Sequence, residues 1–247
     1  MVKYSVRSHR GCVREKNEDR YFVPPENGPF IFAVADGMGG HVGGEVASSL
    51  TIEILGKKVM NGAKQIRQYN LLQMRDYLEQ IIQDANESIV LFQEKEPELR
   101  GMGTTLTVVV LFKKEILVGH VGDSQVHLFS QDRHLQVTED HSLVMELLKK
   151  GEIGPEEVLT HPQRHFLIRA LGTANLLEID FYVNDIEDEN YLLLCTDGLT
   201  SMLKPAEIKE IIFKNNDLEA TADELLNKAN EVGGLDNITF ILFQLQG

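Results

Sequence analysis

Three aspartates recur in one kind of place. Asp36 follows the apolar run FIFAVA, Asp197 follows YLLLCT, and Asp236 directly precedes NITFILF. Apolar runs of this length form strands, so each carboxylate sits at a strand terminus. Glycine follows both Asp36 and Asp197. A carboxylate there is held on a rigid scaffold with backbone carbonyls beside it. Hard oxygen ligands of this kind suit Mg²⁺ or Mn²⁺, which keep several waters in an octahedral shell. The pair Glu18-Asp19 and Asp123 in GHVGDSQ add further acidic groups. One Asp-Gly alone is an ordinary turn signal. Its repetition at strand ends is what points toward a metal.

The elements that must carry these groups follow from periodicity. FIFAVA (30–35) ends in DGMGGHVGGE, five glycines within ten residues, which predicts a tight turn and no helix or strand interior. In a helix after it, Val46, Leu50 and Ile54 would share a face with the Lys57 stem. A long helix is expected over 66–96, striped by Leu71, Met74, Leu78, Ile81, Ala85, Ile89 and Phe92. TTLTVVVLF (104–112), EILVGHVG (115–122) and QVHLFS (125–130) predict consecutive antiparallel strands joined by hairpins. Further helices are expected over 141–151, 205–214 (Pro205 at its first position) and 217–231, with strands at 191–195 and in the closing NITFILFQLQ. Hairpin-linked strands with helices before and after them imply an α+β fold: two packed antiparallel sheets with helices outside. No linker, repeat or low-complexity tract breaks the chain, so one domain over 1–247 is expected.

Hydrophobic residues make up 43% and charged residues 25% of the 247, which excludes disorder as the main state. Asp plus Glu number 38 against 24 Lys plus Arg, a net charge of −14. That balance excludes nucleic acid and anionic membrane surfaces as natural partners. Two cysteines cannot build a disulfide framework, and neither a signal-peptide core nor a membrane-length apolar run is present. A cytoplasmic chain is the expectation. Eight histidines show no HExxH spacing. Cys195 sits in an apolar strand and suits core packing, and Cys12 suits an ordinary thiol. The glycine segment lacks the Gly-Lys-Ser/Thr ending of a nucleotide loop.

The ordered set VREKNED, VADGMGGHVGGEVAS, GMGTTLTVVV, GHVGDSQ, TEDHSLV, RALG, LLLCTDGLT and GGLDNIT resembles the metal-dependent protein phosphatases, often called protein phosphatase 2C, and in particular the small bacterial Ser/Thr phosphatases. The resemblance runs from about residue 5 to 244. It implies a central β-sandwich flanked by helices, with a flap over about 139–173. It also implies hydrolysis of phosphoserine and phosphothreonine by direct attack of water, with no phosphoenzyme. Asp36 would bridge two Mn²⁺ or Mg²⁺ ions, with the Gly37 carbonyl on one of them. Asp197 and Asp236 would complete the first site. Glu18, paired with Asp19, would serve the second largely through water. Arg14 would grip the substrate phosphate, and Asp123 would share a weaker third ion with Asp197. The implied partners are phosphorylated proteins and an opposing cytoplasmic Ser/Thr kinase, met by a monomer. Two positions depart from the family pattern. Met38 stands where many members carry a histidine, and Gln125 where the GDS motif usually continues with arginine. A non-catalytic module of the same fold is the competing class, disfavoured by the intact Asp36, Asp197 and Asp236. A phosphatase dedicated to one regulatory partner would use the same residues.

Overall fold

In the computed structural model residues 2–39, 43–112, 114–158, 160–173, 176–186 and 191–245 are described. The elements run β1 (Lys3–His9), β2 (Arg20–Phe22), β3 (Ile31–Ala35), β4 (Gly37–Met38), α1 (Gly43–Ile66), α2 (Leu71–Lys95), β5 (Gly103–Thr104), β6 (Leu106–Leu111), β7 (Glu115–Val121), β8 (Gln125–Phe129), β9 (His134–Gln136), α3 (Leu143–Lys149), β10 (Asp180–Asp185), β11 (Tyr191–Cys195), α4 (Asp197–Thr200), α5 (Pro205–Lys214), α6 (Leu218–Glu231) and β12 (Ile238–Gln244). One antiparallel sheet has the order β1-β12-β11-β8-β9 and the other β10-β7-β6-β3-β2, with β4 and β5 forming a small ribbon.

Side-chain alternation explains the layers. Phe32, Val34, Val109, Val118, Val126, Leu192, Ile241 and Phe243 point between the sheets. Their neighbours Ile31, Ala33, Ala35, Val108 and Val110 point outward onto Leu55, Leu78, Ile81 and Ile89 of α1 and α2. Leu193, Cys195, Phe240 and Leu242 point outward onto Ile208, Ile212 and Leu225 of α5 and α6. Central strands are therefore covered on both faces, which is why they are continuous apolar runs rather than alternating ones. Each fully buried Val, Leu, Ile or Phe contributes about 1.5–3 kcal/mol. Phe32 and Phe243 meet edge to face with ring centroids 4.7 Å apart, pinning the sheets together. Asn70 starts α2, its side chain accepting from the Gln73 amide while Gln73 accepts from the Asn70 amide.

Several expectations are corrected. β7 and β8 are not a hairpin: β7 pairs with β6 and β10, whereas β8 pairs with β11 and β9, so Gly122–Ser124 carries the chain from one sheet to the other. The glycine segment is partly regular, with Gly37 in β4 and Gly43-Gly44 opening α1; Gly40, His41 and Val42 lie outside the described residues. The buried face of α1 is Ala47, Ser48, Thr51, Leu55 and Val59, and Val46, Leu50 and Ile54 form its half-buried shoulder. Small residues centre that face because they let the helix approach the sheet, and hydrophobicity does not flag them. The long helix begins at Leu71, after α1 has run on to Ile66.

Candidate active site

Strand register brings the acidic residues to one end of the sandwich. Val121 pairs with Leu106, Ala35 with Arg20, Cys195 with Gln125 and Phe240, and Ile238 with His9. The ends of β3, β7 and β11 and the starts of β8 and β12 therefore coincide. Asp36, Asp123, Asp197 and Asp236 stand at or beside these ends, and the loop before β2 adds Glu18 and Asp19. Both sheets contribute, so the group exists only when the sandwich is closed.

The two Asp-Gly glycines are packing devices. A Cβ on Gly37 would stand 2.1 Å from the Gly44 carbonyl oxygen. A Cβ on Gly44 would stand 2.6 Å from the Gly37 carbonyl and 2.8 Å from the Glu18 carboxylate. This close approach seats the start of α1 on the site and leaves room for Glu18. A Cβ on Gly198 would stand 1.9 Å from the Asn237 carbonyl oxygen, so α4 can press Asp197 against the Asp236 segment. The Asp36 amide donates to Thr105 Oγ1 (2.9 Å), and its carbonyl accepts from the Thr105 amide (2.9 Å) and the Thr104 hydroxyl (2.8 Å). Thr105 Oγ1 also meets Ser124 Oγ at 2.8 Å, linking the Asp36 and Asp123 turns.

Electrostatically the group is a standing repulsion. Burial, then the charges of Asp19, Asp197, Asp123 and Asp236, hold the Asp36 carboxyl well above the usual range. Burial and the charge of Asp197 do the same for Asp123. Asp197 is raised by burial and Asp236, against the relief offered by His165 and Arg14. Asp19 lies one step behind. It is buried, its Oδ2 accepts from Thr196 Oγ1 (2.9 Å), and burial pushes it up to about 7. Its Oδ1 is buried and finds no hydrogen-bond partner among the described residues. Arg14, half-exposed, places its guanidinium 2.7 Å from Asp236 Oδ2.

Among the described residues no three His, Cys, Asp or Glu side chains are gathered to close on one ion. The chain nevertheless fits a hard divalent cation. The donors are all carboxylate and carbonyl oxygens, one buried carboxylate oxygen is orphaned, and the glycine cradle keeps Cβ atoms out of the centre. A cation would relieve the repulsion that otherwise drives protons onto these acids.

The structure brings Arg14, Glu18, Asp36, Gly37, Asp123, Asp197 and Asp236 to this end, with Asp19 beneath. It also shows what the sequence concealed. Asn237 accepts from the Glu18 amide (2.8 Å) and donates to the carbonyls of Arg10 (3.0 Å) and Lys16 (2.8 Å), tying the loop of Arg14 and Glu18 to Asp236. Asn237→Ala should cost about 1–2 kcal/mol, since three part-buried backbone groups lose their partner. Thermal unfolding checks this, and an unchanged Tm would contradict it. Gln125 donates its amide to both Asp140 oxygens (3.1 and 2.9 Å). Asp140 is pushed up to about 7 by burial, with Asp197 adding to the effect. His165 Nδ1 approaches Asp197 Oδ2 at 3.9 Å. Cys195 is fully buried and burial raises its thiol, which removes it as a nucleophile; Cys12 is exposed and stands 3.4 Å from Asn230 Oδ1. Only proximity in three dimensions exposes Asn237 and Asp140.

The sequence profile described as protein phosphatase 2C matches residues 8–239. The chain is 40% identical over 240 residues to the serine/threonine phosphatase Stp of Listeria innocua, covering 96% of this chain and 94% of that one. The structure of the Streptococcus agalactiae serine/threonine phosphatase superposes with a TM-score of 0.92 at 33% identity, covering the whole of both chains. The catalytic domain of the phosphatase PstP in complex with two manganese ions superposes with a TM-score of 0.85 at 30% identity, over 100% of this chain and 99% of that one. Such agreement along the entire chain leaves one conclusion: it belongs to the protein phosphatase 2C family, as a serine/threonine phosphoprotein phosphatase of the bacterial type.

Proposed function

We propose that the chain is a Mn²⁺- or Mg²⁺-dependent phosphatase of phosphoserine and phosphothreonine in proteins, acting as one catalytic domain over 1–247. The observation that carries this is the mutually repelling carboxylate group at the joint end of both sheets. Asp36, on which the charges of four other acids act, would be shared between two ions, with the Gly37 carbonyl beside it. Asp197 and Asp236 would complete one site, and Glu18, backed by Asp19, would serve the other. Asp123 with Asp197 would hold a weaker third. When bound, the divalent cations supply an activated water and neutralise charge on the phosphoryl oxygens. Arg14 at the rim would exchange its contact with Asp236 for a bidentate grip on the substrate phosphate, which lysine cannot reproduce. No buried thiol or hydroxyl is needed as nucleophile. Two free thiols suit a reducing compartment, which supports a cytoplasmic location; the chain would act there as a monomer against a Ser/Thr kinase.

The test is release of phosphate from phosphothreonine and phosphoserine peptides. Activity is expected with Mn²⁺ or Mg²⁺, at background in excess EDTA, and restored by adding metal back. Full activity in EDTA would overturn the metal-dependent reading.

A further inference from the structure

We propose that His141 is a positioning residue that holds the Asp123 turn and the flap together as one unit; this rests on the metal-dependent reading above. His141 is buried and grips Gly122 twice. Its backbone amide donates to the Gly122 carbonyl (2.7 Å), and its ring Nδ1 accepts from the Gly122 amide (3.0 Å). An accepting Nδ1 puts the proton of the neutral ring on Nε2. Nε2 donates to Asp180 Oδ2 (3.1 Å) at the start of β10. Asp180 Oδ1 in turn accepts from Arg169 (3.0 Å) on the returning limb of the flap. The same limb is tied to His141 directly, because the Ile168 amide donates to the His141 carbonyl (2.9 Å). Ser142 bridges to Leu167 alongside.

The turn is fixed on its other side as well. Gly122 has φ +113°, and a Cβ there would stand 2.5 Å from the Thr105 side chain. Thr105 reaches Ser124 and the Asp36 amide. Asp123 is therefore clamped between the end of β3 and His141. His120 sets its ring 4.7 Å from that of His141, tilted by 43°, accepts at Nδ1 from Thr107 (2.9 Å) and donates from Nε2 to the Glu139 carbonyl (3.0 Å), closing the approach to the ring. A shift of the flap limb at 168–169 thus reaches the Asp123 turn through one residue, by its backbone and by its ring. Groups that orient ligands in this way typically change activity or metal affinity by about 10- to 100-fold when replaced.

Two replacements separate the two grips. Asn places an acceptor near the Nδ1 position and can keep the Gly122 amide. Gln reaches toward the Nε2 position and can keep Asp180 while releasing the turn. The experiment combines peptide kinetics, calorimetric Mn²⁺ titration and hydrogen exchange over segments 119–126 and 160–170, with and without Mn²⁺. In wild type, Mn²⁺ should slow exchange in both segments together. His141→Gln should lower kcat on the order of tenfold or more with KM nearly unchanged, weaken the last Mn²⁺ step, and reduce the response of 160–170, whose backbone tie to residue 141 remains. His141→Asn should keep more of kcat and protection at 119–126 while the flap segment exchanges faster. Should His141→Gln fail to fold, Asp180→Asn serves: its amide oxygen still accepts from Nε2, so the turn stays protected, but the charged tie to Arg169 is lost and the flap exchanges faster. Wild-type kcat in the folded His141 variants, with the flap still responding to Mn²⁺, overturns the proposal. Equal acceleration of exchange throughout the chain, with kcat and KM unaltered, also overturns it, because that is the mark of a merely structural histidine. Hydrolysis that persists in EDTA, or absence of Mn²⁺ binding by wild type, overturns the metal-dependent reading itself.

Discussion

Asp36→Asn should lower kcat by about a thousandfold or more, since on the proposed metal-dependent reading Asp36 is shared between two ions and its loss would remove several kcal/mol of transition-state stabilisation. The substitution is nearly isosteric. The backbone bonds from residue 36 to Thr104 and Thr105 do not use the side chain and should persist. The effect on the metal-free fold should run the other way. Burial and the charges of Asp19, Asp197, Asp123 and Asp236 all oppose ionisation of Asp36, so an uncharged replacement removes the cost of ionising it. In EDTA the variant should therefore unfold at the same temperature as wild type or higher. Added Mn²⁺ should raise its Tm much less than it raises the wild-type Tm, because the shared ligand is gone. Kinetics beside thermal unfolding in EDTA and in Mn²⁺ decide it. Near-normal kcat would remove Asp36 from the centre of the site, and a large loss of metal-free stability would show that the side chain is needed for the fold.

The chemistry was more legible in the sequence than its scaffolding. Asp36 and Asp197 end long apolar runs and Asp236 opens one, so the three could be located without knowing how the strands pair. Pro205 marked the first residue of α5 because its fixed φ suits that position. β1, β2 and β9 left no comparable trace. They are edge strands with mixed or exposed faces, and edges carry polar residues that blunt pairing with other chains. The crossing at Gly122–Ser124 was hidden for another reason. A gap of three residues suits a hairpin, and only the fit of Gly122 against Thr105 and His141 sends β8 to the opposite sheet. Asn237 and His141 were equally silent. Each is one polar residue whose meaning lies in its partners: Asn237 reaches carbonyls more than 200 residues away, and His141 reaches Asp180 across the fold. The same site has a thermodynamic signature that periodicity cannot show.

In EDTA the folded chain should lose thermal stability as the pH rises from about 6.5 to about 8, and Mn²⁺ should reverse that slope. Asp19 and Asp140 are each pushed from 3.8 up to about 7, by burial first and by neighbouring acids after it. Between those values the folded state binds protons that the unfolded state has released. Their stabilising effect is present at low pH and is lost as the pH climbs through about 7. Asp36, Asp123 and Asp197 are raised too and act in the same sense. Buried histidines act oppositely. Burial lowers His120 and His127 from 6.5 to about 3, so their contribution is complete above 6.5 and is lost as the pH falls below it. The two sets oppose each other between about 3.8 and 6.5; above 6.5 the histidine contribution is complete and only the acids still act, so the metal-free slope there runs downward. Asp84 and Asp223 are held below the usual range and titrate outside the window. Mn²⁺ competes with the protons for the same oxygens, so its stabilisation should grow with pH and be largest near pH 8. For a chain of this size each kcal/mol moves Tm by roughly 2–4 °C, well within reach of calorimetry. Asp140→Asn should flatten the metal-free slope, because the raised carboxyl is gone while Gln125 can still find an acceptor. A metal-free Tm that is flat or rising between pH 6.5 and 8 would mean that the acids do not repel one another in solution, and the electrostatic case for a cation at this end of the sandwich would fall with it.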